Sequence, residues 1–329
     1  MTIFQSCGRK PRSKRTTNPA QSEARPTTMD GIIKPIAVLP PLHWTSRGYS
    51  AEYAIAITLL QFTLLQEVVS LKKRRDQTTD DDAPKTEIKL LGLPEGLLLP
   101  DDSILPLWKQ FAEALCSFST AEERGIEISI ANIQLPTSVL DIFEPALKTA
   151  PIKRLVLMNN RLGRDAISLL ARVLEVSSMQ VLSLHGNVIE CGTEMLSLLE
   201  AARNHSALNV IDLNNCGITS SLQIEPRIVT VLLSLKAVLL GSNGIGTHVA
   251  SLIANCLATN PRIKRLHLDD NLLNDKDATL ITNALKTNTN LDSLRLRGNN
   301  FTDAGIKTLY KSVYDDQSLE VFHVELARI

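Results

Sequence analysis

One spacing returns through most of this 329-residue chain: apolar residues at offsets 0, 3, 5 and 10, with asparagine at offset 8. It reads "IKRLVLMNNRL" from 152, "MQVLSLHGNVI" from 179, "LNVIDLNNCGI" from 208 and "LKAVLLGSNGI" from 235. It continues as "IKRLHLDDNLL" from 263, "LDSLRLRGNNF" from 291 and "LEVFHVELARI" from 319. The third apolar position falls at Leu157, Leu184, Leu213, Leu240, Leu268, Leu296 and Val324, in steps of 27, 29, 27, 28, 28 and 28. "GIEISIANIQL" from 125 fits one further step back, with Ile128 and Ile130 in the apolar places and Ile133 where the asparagine would stand.

The pair at offsets 3 and 5 puts two side chains on one face of a strand, since alternate residues share a face. Helical text such as "GTHVASLIANCLATN" and "DAGIKTLYKSVYDD" follows each strand. One such unit cannot bury its own apolar face, so neighbouring units must stack. Over residues 125–329 the pattern resembles the leucine-rich repeat family, in its ribonuclease-inhibitor-like (RNI-like) class. That resemblance implies an α/β solenoid or horseshoe of about eight strand positions, with a parallel sheet on the concave face and helices on the convex face.

The fixed asparagine follows from the backbone. Where the chain leaves the strand, its N–H and C=O groups lose their sheet partners inside the stack, and an amide side chain supplies both a donor and an acceptor. Asn160, Asn187, Asn243, Asn271 and Asn299 are therefore expected to be structural and to form an asparagine ladder, with Cys216 taking the place in one repeat.

Lys+Arg and Asp+Glu both number 35, so no global field attracts a polyanion and nucleic acid is not an expected partner. The five cysteines, Cys7, Cys116, Cys191, Cys216 and Cys256, are odd in number and show no metal-ligand spacing. They predict unpaired buried thiols in a reducing, intracellular compartment, cytoplasmic or nuclear.

Upstream of the repeats the text changes character. Residues 1–30 are basic and rich in Ser, Thr and Pro, which predicts a disordered tail; a nuclear signal at "RKPRSKR" and an organelle transit peptide both remain open readings. Within 31–83, the run "YSAEYAIAITLLQFTLLQEVVSLKKRR" over 49–75 predicts a helix, with Ser50 as its cap and Lys72 to Arg75 at its negative end. Its length would span a bilayer, but Glu52, Gln61, Gln66 and Glu67 interrupt it. Packing on the end of the solenoid is the favoured expectation over a membrane. "TTDDDAPK" reads as an acidic linker. Residues 84–124 are expected to form an irregular capping unit with a strand through Ile88 and Leu90, a helix from Pro106, and Trp108 and Phe111 in its core.

Catalytic text is missing: there is no GxxxxGK phosphate loop, and no nucleophile has an identifiable base. "GSNGIG" at 241–246 reads as a repeat turn, and His267 with Asp269 lacks further metal ligands, so no cofactor is expected. Two rows of strand residues remain on the face away from the helices. One is Val156, Ser183, Asp212, Leu239, His267, Arg295 and His323; the other is Met158, His185, Asn214, Gly241, Asp269, Arg297 and Glu325. Asp212, Asn214, His267, Asp269, Arg295, Arg297, His323 and Glu325 are the candidate partner-binding residues. The competing expectation is that Asp269, Arg297 and Glu325 only neutralise one another across strands.

A curved surface without chemistry suits a non-enzymatic scaffold that binds a protein partner. A GTPase-activating protein resembling the Ran GTPase activator and a membrane- or organelle-tethered scaffold are the alternatives. The chain stops at Ile329, the eleventh template position, so the last repeat is expected to be truncated. Its open edge is expected to fray or to be covered, for instance in a dimer.

Overall fold

The computed structural model describes residues 51–76, 86–92, 98–99, 102–117, 125–189, 192–218, 226–316 and 321–323. All lie in one compact unit, Pro40–Ile329. The expected tail 1–30, the cap Ser50, the acidic linker, Cys7, Cys191, Glu325 and the C-terminal edge 324–329 fall outside these residues.

Strands and helices alternate. After α1 (Ala51–Asp76) come β1 (Thr86–Leu91), a short 3-10 turn at Asp102–Ile104 and α2 (Leu105–Cys116). Then follow β2 (Ile126–Ala131), α3 (Thr137–Thr149), β3 (Ile152–Met158), α4 (Arg164–Leu174), β4 (Val181–Ser183), α5 (Gly192–Asn204) and β5 (Val210–Asp212). The series ends with α6 (Pro226–Leu233), β6 (Ala237–Leu239), α7 (Thr247–Leu257), β7 (Arg265–His267), α8 (Asp275–Leu285), β8 (Ser293–Arg295), α9 (Asp303–Asp316) and β9 (Val321–His323). The strands form one open parallel sheet in chain order from β1 to β9. This is a leucine-rich repeat solenoid, and β1 extends it by one strand beyond the eight of residues 125–329.

The apolar pairs face the helices. Leu182 and Leu184, Leu266 and Leu268, and Leu294 and Leu296 are each at most 1% exposed. Leu240, beyond β6, lines a small apolar void with Val229 and Leu232 of α6 and Val249 and Ile253 of α7. Burying each such side chain contributes about 1.5 to 3 kcal/mol. Helix starts are secured locally where the text allows: the Asn274 side chain accepts from Lys276 N at 2.9 Å while Asp277 accepts from Asn274 N at 2.9 Å, closing a capping box on α8.

The asparagines are buried and bonded between repeats. Asn271 donates to Leu240 O and to Leu268 O, both at 3.0 Å, and its Oδ1 accepts from Asn243 N and Ile245 N, also at 3.0 Å. Asn187 does the same for Leu157 O, Leu184 O, Asn160 N and Leu162 N. Cys216 covers half of that role: its Sγ donates to Leu184 O at 3.2 Å. Burial pushes the Cys216 thiol up to about 12. The residue before each of these positions turns left-handed, at Asn159, Gly186, Asn215, Ser242, Asp270 and Gly298, with φ between 52° and 72°. At Gly186 a Cβ would collide with the Asn159 side chain, which explains glycine there.

At the N-terminal end, β1 pairs with β2 over six residues, Thr86↔Ile126 through Leu91↔Ala131. The expected irregular cap therefore continues the sheet in register, and a bridge between Leu98 and Ile133 prolongs it. Trp108 and Phe111 are fully buried and meet Phe143 of α3 edge-on or tilted, at centroid distances of 5.3 and 5.6 Å. Helix α1 lies against α2 and β1 with Ile57, Leu60, Leu64, Val68 and Leu71 buried. No described helix is long and apolar enough to cross a membrane. One expectation fails: Cys116 is exposed rather than buried, because it closes the last turn of α2, whereas Cys216 is buried and Cys256 half-buried.

Candidate functional site

Strand register brings the two expected rows together on the helix-free side of the sheet. Val156 is aligned with Ser183, Ser183 with Asp212, Asp212 with Leu239, Leu239 with His267, His267 with Arg295, and Arg295 with His323. His323 is placed by its backbone in β9, and Glu325 lies outside the described residues. Neighbouring strands are about 4.8 Å apart, so consecutive members of a row sit side by side.

The polar members are tied to one another, and Asp269 takes part through Arg295 and the backbone of Arg297, while Glu325, the third member of the expected neutralisation, lies outside the described residues. Asp269 Oδ2 lies 3.0 Å from Arg295 Nε, a charge contact whose N–H is not aimed at the carboxylate. The other oxygen, Oδ1, accepts from the backbone N of Arg297 at 2.9 Å. Asn214 does the equivalent work two sites earlier, with Oδ1 accepting from Gly241 N at 2.5 Å. In both cases a second-row side chain satisfies the main chain of the next strand. Asp212 accepts from Ser183 Oγ at 2.8 Å and from Asn214 N at 3.0 Å. The pairing of Ser183 with Asp212 went unnoticed in the sequence, although their adjacency in one row carried the signal.

The charge distribution follows. Burial, and next the Arg295 guanidinium, hold the His267 imidazolium below its usual range, so this imidazole is neutral at neutral pH. Arg297 is exposed and Arg295 half-exposed, which leaves two guanidinium groups at the C-terminal end of the rows and the carboxylates of Asp212 and Asp269 partly covered. Toward the N-terminal end the second row runs through Leu91, 62% exposed, in register with Ala131 and then Met158, while Glu87 and Lys89 share that face of β1 and pair at 2.8 Å.

Among the described residues, no group of three or more His, Cys, Asp or Glu side chains is placed to hold a metal ion. The glycines of 241–246 serve the turn: Gly244 has φ +68° and Gly246 precedes α7 with extended backbone.

No protein-family model matches the chain, and no curated protein matches it in sequence. Among solved structures it is similar to the actin-binding site 2 of leiomodin-1, with 23% identity and TM-score 0.33 over 40% of this chain and 78% of that one. It is also similar to a Bacteroides fragilis protein, with 12% identity and TM-score 0.45 over 74% of this chain and 65% of that one. A third is the tropomodulin C-terminal domain from Caenorhabditis elegans, with 12% identity and TM-score 0.32 over 40% and 84%. None of these superpositions is close enough to transfer a residue or a partner to this chain.

Proposed function

We propose that this chain is a non-enzymatic protein-interaction scaffold of the RNI-like repeat class, which holds a protein partner on the helix-free face of its sheet. The carrying observation is the division of labour in the two rows. Asn214 and Asp269 spend an oxygen on the backbone of the next strand, and Asp212 is held by Ser183, so the face is rigid before a partner arrives. Preorganisation of this kind lowers the entropy lost on binding. His267, Arg295 and Arg297 then form the specificity patch, with Asp212, Asn214 and Asp269 as its frame and His323 and Glu325 continuing it. Two guanidinium groups side by side favour a partner that presents carboxylates.

The test is affinity capture from a native extract with wild type and with Arg295→Glu combined with Arg297→Glu. Both side chains reach solvent, so circular dichroism is expected to be unchanged while capture of the partner is lost. Equal capture by the two proteins would sink the assignment of the patch.

A further inference from the structure

Helix α1 has two apolar faces and the solenoid uses one. On the other, Ile55, Leu59, Phe62 and Val69 are 57%, 59%, 56% and 47% exposed, with Gln66 between the last two. The steps 55, 59, 62, 66, 69 alternate four and three, the period of a coiled-coil seam. Such a stripe, one side chain wide, seats another helix, whereas a helix lying in a lipid surface needs a broader apolar face. Exposed large apolar residues on the other described helices, Leu280 of α8 and Tyr310 of α9, stand singly.

We propose that the stripe is covered by α1 of a second copy of this chain, in antiparallel orientation. Charge decides the orientation. Lys72, Lys73, Arg74 and Arg75 close the helix and Glu52 opens it, so parallel pairing would set two basic runs side by side. Antiparallel pairing moves them to opposite ends, each beside the partner's Glu52, and lets Leu59 meet the partner's Val69 while Phe62 meets the partner's Gln66. The chain's own upstream apolar run, "IIKPIAVLPPLHW" at 32–44, is a poor occupant. Its sequence places Pro35, Pro40 and Pro41 where a heptad pattern of apolar residues would have to run unbroken. The seam from Ile55 to Val69 is roughly 21 Å long at about 1.5 Å per residue. Interfaces of that small size associate weakly and reversibly.

Sedimentation equilibrium on the full chain in reducing buffer is expected to show a reversible monomer–dimer equilibrium. In Leu59→Glu combined with Phe62→Glu the association is lost and circular dichroism is retained, because both side chains are exposed. A wild type that stays monomeric at every concentration, including one that sediments with anionic vesicles instead, overturns the proposal. So does a dimer that the double variant leaves intact. Orientation is read separately by mild oxidation: Leu59→Cys with Val69→Cys forms an intermolecular disulfide that wild type and both single variants lack. A cross-link in Leu59→Cys alone means parallel pairing and overturns the antiparallel assignment.

Discussion

Leu266 and Leu268 on one side of β7 are sealed from solvent, while His267 and Asp269, each one residue away on the other side, stay half-exposed among charges. The two faces of the same short strand answer to different physics. On the helix side every position has one requirement, an apolar side chain of the right volume, and all repeats meet it alike. On the other side each position is settled by competition among neighbouring strands, so Asp269 serves Arg295 and the Arg297 backbone at once. The buried face therefore sets stability, and the open face carries the proposed specificity patch.

This contrast can be broken from its strongest side first. Leu268→Ala removes a fully buried side chain and is expected to cost about 2 to 5 kcal/mol; a thermal midpoint equal to wild type would remove Leu268 from the core. Asn271→Ala strips the partners from a cluster of buried backbone groups and is expected to cost about 1 to 3 kcal/mol, part of the loss being made up by water entering the truncated site. Urea unfolding measures it, and a cost no larger than that of an exposed substitution would contradict the bonding described for Asn271. The smallest effect belongs to the open face. The folded-state pKa of His267 is lowered below the 6.5 of the free side chain, so its contribution is complete above that value, where both states are neutral. It is lost as pH falls below 6.5 toward and past the folded pKa, because the unfolded state takes up the proton first. Wild type is expected to lose more stability than His267→Gln between pH about 7.5 and about 5.5. Parallel pH profiles for the two proteins would show that His267 is not desolvated.

The sequence carried the solenoid because periodicity is a statement about burial, and burial repeats. Leu157, Leu184, Leu213 and Leu240 announce the sheet and its register through spacing alone, and the buried asparagines follow from backbone bookkeeping. What the text withheld were the partners. Nothing in "LHLDD" and "LRLRG" tells which arginine Asp269 meets, since that depends on side-chain torsion across a gap of 28 residues. The strand through Ile88 and Leu90 was visible, but its in-register junction with β2 was hidden by the missing asparagine at Ile133. The exposure of Cys116 was equally hidden, because a thiol at a helix end obeys the local turn and not the average for its residue type. The spare face of α1 lay in plain text, yet only the structure says which of its two apolar faces is already occupied.

The single cysteine among the asparagines has a mechanical consequence. Leu162, Ile218, Ile245 and Leu273 each give their N–H to an amide oxygen of the following repeat, at 3.0 to 3.3 Å. Ile189 has Cys216 in that place, and its N–H goes to the Cys216 main-chain oxygen at 3.2 Å. A relay of rigid amides is interrupted there by a sulfur with no carbonyl to offer. Because each repeat touches only its neighbours, nothing farther along the stack compensates. The boundary between the repeats of β4 and β5 is thus held by one thiol and one main-chain carbonyl where the boundaries at Asn187, Asn243, Asn271 and Asn299 have a side-chain amide.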